Sequence, residues 1–409
     1  MTDVFRTTNV CVRVRASADA SRWVVTFDNF GLGPGFDRLG FGERFLIKYG
    51  VSAIHVMGAG DDWYQYPEMI EAMAAVRGVT DGADVVMTYG SSMGGYAAIR
   101  FAEAARATAT LALSPQHNID PSRPPFDSRW RESANRIRWL PQFSGPLQPS
   151  GRPPVIAYDS RSPDAAQIAA ISAEIAITPI PLPYGGHPIS TRLEETGLLK
   201  PLFFAVLEDR LDVRAICAEA RRRRNAPVYL TEISQALAAR RPHVALALAE
   251  RGVGTFPANT RVVSNLGALQ IRSGLREDGL AALERAVAIW RNDTTLIPYV
   301  DALVEAGRRE EVKPLVEEVV ALRPDMGNVR LWQAMVAWRL EDYASARTAC
   351  IETLRLDPTN AHAPAILAAC DAALAAGDPP SSGAPRKRRA RRLAALLRRA
   401  YRGPMRRAE

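Results

Sequence analysis

Apolar residues along this chain follow two different patterns, and the change comes near residue 208. Before it, short β-branched runs alternate with longer stretches whose apolar residues recur at helical spacing. That alternation predicts a mostly parallel sheet with covering helices. Strands are predicted at 9–16 (NVCVRVRA), 22–28 (RWVVTFD), 51–57 (VSAIHVM), 84–89 (DVVMTY), 109–114 (ATLALS), 154–159 (PVIAYD) and 176–182 (AITPIPL). Helices are predicted from Pro67, Gly94 and Ser162, each with a proline or glycine near its start. The predicted class is an α/β doubly wound, mostly parallel sheet.

After Leu211 the strand-like runs vanish, and alanine, leucine, arginine and glutamate dominate. Turn-like endings recur at Pro257, Arg291, Pro324 and Pro358, at spacings of 34, 33 and 34 residues. Small residues stand where first helices would cross (Gly267, Ala334), with Gly274, Gly307 and Glu341 at turns. Ala286, Val319 and Ala346 occupy second-helix positions. This period and these residues resemble tetratricopeptide repeats, which pair helices into an array that binds protein partners. The organisation expected is an α/β domain over 1–208, a linker over 209–226, helical repeats over 227–376 and a basic tail over 377–409.

Composition refines this picture at three points. The chain has 409 residues, 47% of them hydrophobic, enough for two folded units with real cores. Cys11, Cys217, Cys350 and Cys370 are scattered, with no CxxC pair, so they read as small buried hydrophobes and no metal or other cofactor is expected. The positive charge is concentrated in the tail. Residues 379–409 carry eleven positive side chains and one negative, a net +10, whereas the whole chain is +8, so the folded part is slightly acidic.

Within the tail, RRARRLAALLRRAYR sets Leu393, Leu396, Leu397 and Tyr401 on one helical stripe among arginines, which suits an anionic membrane surface. No nucleic-acid fold or interleaved aromatic set accompanies the charge, so specific nucleic-acid binding is not expected. No signal-like apolar block opens the chain, and no run of about 18 apolar residues occurs. The expected location is therefore the cytoplasm, with peripheral membrane contact through the tail.

The strand at 84–89 runs into YGSSMGGY, where a helix begins. A serine on a sharp strand-to-helix turn needs small residues two before and two after it. Centred on Ser92, those positions are Gly90 and Gly94; centred on Ser91, they are Tyr89 and Met93, which are too bulky. The frame selects Ser92 as nucleophile. A serine hydroxyl needs a base, and the chain has five histidines. His243 and His362 lie in the helical region, His55 inside a strand, and His117 early, just after one. His187 lies in PYGGHP, beyond the last strand, where glycines let the chain turn back over the sheet. The base in turn needs a carboxylate to fix its tautomer. The loop after PVIAYD offers Asp159 and Asp164, and Asp164 is preferred.

Ser92, Asp164 and His187, each following a successive strand, resemble the α/β-hydrolase family in their order along the chain. The resemblance implies an oxyanion hole built from the backbone N–H of Met93 and a second N–H in the loop after RWVVTFD, from Asn29 or Phe30. It also implies hydrolysis or acyl transfer on an ester, thioester or amide. Trp63, Tyr64 and Tyr66 stand at another strand end and suit a cleft lining, with 114–153 as the room for a cap. The alternative reading is a non-catalytic hydrolase-like scaffold, accessory to the production or export of cell-surface polysaccharide.

Overall fold

The computed structural model describes residues 1–375. The basic stripe expected to meet anionic membranes lies outside the described residues. Two compact units divide the chain, Met1–Glu232 and the part from Ile233 onward.

The first unit is built on one eight-stranded sheet. Its strands are β1 (Thr2–Arg6), β2 (Val10–Arg15), β3 (Arg22–Phe27), β4 (Ser52–Gly58), β5 (Val85–Ser91), β6 (Ala109–Leu113), β7 (Val155–Tyr158) and β8 (Thr178–Pro181). Their spatial order is β1-β2-β4-β3-β5-β6-β7-β8. Pairing is parallel from β4 through β8, and antiparallel where β2 meets β1 and β4. The sequence indicated one strand ahead of β3, and there are two. TDVFR escapes notice because it is a short, half-exposed edge whose polar residues interrupt the apolar pattern, and Asp3 fixes it by an ion pair to Arg13 at 2.7 Å.

Strand residues alternate between the two faces with the period of two that the pleat imposes. Trp23, Val25 and Phe27 join one core, with Met69 and Met73 of α2 (Met69–Thr80) and Ala97 of α3 (Met93–Arg100). Val24 faces a second core with Leu46 of α1 (Glu43–Lys48). A short helix α4 (Arg131–Arg136) belongs to the segment joining β6 to β7, and α5 (Asp164–Glu174) packs Ile168 and Ile171 against Ala112 and Ile156. Helices α6 (Ile189–Glu195), α7 (Leu199–Leu207) and α8 (Val213–Arg222) cover the second face with Leu193, Phe203 and Ala220. The sheet is therefore sandwiched between two helical layers, and loops at its carboxyl edge pack residues such as Trp63, Tyr64 and Leu182 into the same cores. Residues 209–226, read from the sequence as a linker, carry α8. Its Ile216, Cys217 and Ala220 pack into that second core, so the unit continues to Glu232.

Helix α9 (Pro227–Leu237) spans the division between the units. The second unit continues with α10 (Pro242–Thr255), α11 (Thr260–Arg272), α12 (Arg276–Ile289), α13 (Asp293–Ala306), α14 (Arg309–Leu322), α15 (Gly327–Arg339), α16 (Tyr343–Leu356) and α17 (Ala363–Ala375). Consecutive helices pack together. A Cβ on Gly267 of α11 would lie 2.8 Å from the Gly279 carbonyl oxygen of α12, so these backbones nearly touch. Ala286, Val319, Ala334 and Ala346 are fully buried at such crossings. Gly274, Gly307 and Glu341 turn the chain at positive φ (88°, 78° and 64°) between α11 and α12, α13 and α14, and α15 and α16. No helix among the described residues is long and apolar enough to cross a membrane.

Candidate active site

The end of β5 and the start of α3 meet at Ser92, which has φ 52° and ψ −116°. A side chain adopts this conformation only under strain, and the surroundings enforce it. A Cβ on Gly90 would sit 2.1 Å from the Gly94 carbonyl oxygen, and one on Gly94 would sit 2.3 Å from the Phe27 carbonyl oxygen. Neither position admits any other residue without moving backbone. The Ser92 N–H donates to the Leu113 carbonyl at 2.8 Å, pinning the turn to β6. Ser91, the neighbouring serine, ends β5 with its hydroxyl buried and without a hydrogen-bond partner among the described residues.

The strained turn aims the Ser92 Oγ at His187, whose Nε2 is 2.9 Å away. His187 lies beyond β8, and its Nδ1 is 2.9 Å from Oδ2 and 3.0 Å from Oδ1 of Asp164, the first residue of α5. Since an ionised carboxylate can only accept, Nδ1 carries the proton. When the imidazole is neutral, Nε2 is then a bare acceptor, to which the Ser92 hydroxyl can donate. Asp164 is 1% exposed. Burial alone would push its carboxyl up, but the charges and hydrogen bonds of His187 and Arg129 outweigh burial and hold it at about 2.

Asp159 holds a different position. Its carboxylate accepts N–H bonds from Arg161 (2.8 Å), Tyr184 (3.0 Å) and Gly186 (3.0 Å), lashing the β7 loop to the loop that carries His187. Burial raises its carboxyl nonetheless. It is Asp164 that reaches the imidazole. The remaining histidines of this unit are engaged elsewhere: His55 Nδ1 lies 2.7 Å from the Thr26 hydroxyl, and His117 Nε2 lies 2.7 Å from Glu174.

Met93 is the first residue of α3, where an N–H has no acceptor within the helix. In the loop after β3, the Asp28 N–H is taken by the Tyr64 hydroxyl and the Gly31 N–H by Asp61 (2.9 Å). The N–H groups of Asn29 and Phe30 make no hydrogen bond among the described residues. The Phe30 ring packs on Trp63 and Trp130, with centroids 5.7 and 5.2 Å apart, and Trp130 stands edge-on to His187 at 5.7 Å. Trp63 is buried in this aromatic group. Tyr64 and Tyr66 direct their hydroxyls to backbone groups near Asp28 and Gly60, and so belong to the scaffold of the loops.

Two residues at the site were not singled out in the sequence. Arg129, on a 3-10 turn (Ser128–Trp130) in the segment between β6 and β7, forms ion pairs with both Asp127 and Asp164. Burial alone would lower its pKa, but the two carboxylates hold it above the ordinary value. Gln116 lies just beyond β6, 1% exposed, and its Nε2 donates to the Ser92 Oγ at 3.3 Å. A position shortly after a strand end was the available signal for Gln116. Arg129 sits in a stretch without hydrophobic period, where the sequence gives none.

No protein-family model matches the chain. No curated protein matches it. Among solved structures, the helical part is similar to YrrB, described as a TPR protein with an unusual peptide-binding site, at 14% identity and TM-score 0.30, over 37% of this chain and 79% of that one. It is also similar to the MamA fragment beginning at residue 41 from Desulfovibrio magneticus RS-1 (15% identity, TM-score 0.32, 43% and 93% covered). A third similar structure is TTC0263, a thermophilic TPR protein of Thermus thermophilus (14% identity, TM-score 0.35, 44% and 98% covered).

Proposed function

We propose that the first unit is a serine hydrolase or acyltransferase of α/β-hydrolase type, acting on an ester, thioester or amide. The observation that carries this reading is the continuous hydrogen-bonded chain from the strained Ser92 through His187 to Asp164. In the first half-reaction, the Ser92 Oγ bonds to the substrate carbonyl carbon while its proton passes to His187 Nε2. Asp164 stays ionised and stabilises the imidazolium. The N–H of Met93, with that of Phe30 or Asn29, receives the developing oxyanion. Collapse breaks the bond to the leaving group, which takes the proton from His187. Water or a second acceptor then attacks the acyl-serine, gives its proton to His187, and the proton returns to Ser92 as the acyl group departs.

The second unit, with its helices paired at a period of 33 to 34 residues, fits the role of recruiting a protein partner. The tail adds attraction to anionic membrane. Sedimentation with anionic vesicles at low salt, lost on deletion of residues 379–409, tests that role, and unchanged sedimentation removes it.

A fluorophosphonate probe tests the enzyme reading. Labelling is expected in the wild type and in Ser91→Ala, and lost in Ser92→Ala. A wild type that takes no label overturns it. The burial of Ser92, 5% exposed with Trp130 packed on His187, is what favours the second reading of a non-catalytic scaffold. The same probe separates the two.

A further inference from the structure

The orientation of the Gln116 amide is fixed by counting protons. Ser92 has a single hydroxyl proton, and with His187 neutral and its Nδ1 donating to Asp164, that proton goes to His187 Nε2. The Ser92 Oγ can therefore only accept from Gln116, so the amide nitrogen faces the nucleophile at 3.3 Å and the amide oxygen is left for another donor. That oxygen, Oε1, is buried and makes no hydrogen bond among the described residues. The backbone that carries it is held in place, for two residues earlier the Ser114 hydroxyl accepts the Ile189 N–H at 3.1 Å. A carbonyl oxygen buried without a donor is a cost to the fold that an apolar side chain of the same size would not incur.

The sheet order gives the direction. β6 borders β5 on the side of β7 and β8, the strands that lead to Asp164 and His187, whereas β3 and Phe30 lie on the other side. Gln116 thus stands on the side from which His187 would hand a proton to the departing group, away from the N–H groups of Asn29 and Phe30, which make no hydrogen bond among the described residues.

Building on the serine-nucleophile reading, we propose that Gln116 is a specificity-determining residue whose Oε1 accepts a hydrogen bond from the leaving group, selecting acyl donors whose leaving group carries an O–H or N–H beside the scissile bond. Esters of polyols and amides both have such a donor; aryl esters and simple thioesters do not. A buried acceptor left without its donor discriminates strongly against substrates that lack it.

The test compares kcat/KM for glyceryl monoacetate, acetanilide and 4-nitrophenyl acetate in wild type, Gln116→Met and Gln116→Glu. Methionine keeps the length and removes the acceptor; glutamate keeps an acceptor. The polyol-to-aryl ratio, the amide-to-aryl ratio, or both are expected to fall roughly tenfold or more in Gln116→Met and to recover in Gln116→Glu. Which ratio falls identifies the donor as hydroxyl or amide. Equal ratios in wild type and Gln116→Met, in proteins that still take the fluorophosphonate label, overturn the role of Gln116 alone. A wild type that takes no label overturns the nucleophile and this inference together.

Discussion

Arg129 and His187 share one acceptor, the Asp164 Oδ1, so the carboxylate that orients the imidazole is itself held by a buried guanidinium. Arg129 also grips Asp127 through two nitrogens. Removing the guanidinium would leave two buried carboxylates facing each other without a counter-charge. We predict that Arg129→Gln lowers stability by about 3 kcal/mol or more, with Arg129→Lys recovering part of the loss, as read from urea denaturation at pH 7. A Gln variant as stable as wild type would overturn this role for Arg129.

Asp164 should make the fold acid-sensitive over a defined range. Its folded pKa of about 2 lies below the unfolded value of about 3.9, so the unfolded chain takes up the proton first as pH falls. Its contribution, on the order of 2 kcal/mol, is complete above about pH 5 and is lost as pH falls through the folded value. Asp164→Asn is expected to be less stable than wild type at pH 7 and to show a flatter decline between pH 5 and 2. Parallel declines for the two proteins would contradict this.

The second unit holds a buried aspartate of the opposite kind. Asp301 on α13 lies 3.2 Å from Arg339 with Trp332 also beside it; its Oδ2 makes no hydrogen bond among the described residues, and burial outweighs both neighbours to push its carboxyl up to about 7. Glu305 adds a further raising charge. Because the folded pKa is raised, the stability linked to this group is complete below about pH 4 and is lost as pH rises through 7. Asp301→Asn should therefore gain on wild type as pH goes from 5 to 8, visible in the melting of the helical signal. A constant difference between the two proteins would mean that Asp301 is ionised throughout.

Gly90 and Ser91 are adjacent, but substitution should affect them very differently. Gly90→Ala puts a Cβ against the Gly94 carbonyl, where only backbone can yield, and is expected to cost roughly 3 kcal/mol or more. Ser91→Ala removes a buried hydroxyl that has no partner among the described residues, and should be neutral or slightly stabilising. Thermal melting of the two variants distinguishes them, and similar losses in both would refute the steric account of the turn.

Seven of the eight strands are visible in the sequence because each is a concentrated β-branched or apolar run, as in RWVVTF and VVMTY. The eighth, TDVFR, is an edge strand whose polar residues hide it. The run LKPLFFAVL of α7 conceals a helix for the opposite reason: with apolar residues at nearly every position, it shows no helical period. Position along the chain was enough to single out Ser92, because the steric demands of the turn are local, and His187, because few histidines compete. Gln116 and Arg129 take their meaning from groups 24 and 35 residues away in the chain, and no local pattern encodes such a meeting.

Ser92 stands immediately before α3, yet its hydroxyl caps no helix N–H. A serine at a helix start normally offers its oxygen to the amides behind it. Here that oxygen is turned toward His187 and the first amide is left open, while the backbone sits at a φ where glycine would rest without strain. For folding alone, glycine is the better residue at 92. On the nucleophile reading proposed above, the serine is where this sequence would give up stability for reactivity; a chain with no chemistry to perform at this turn would lose nothing by exchanging it for glycine.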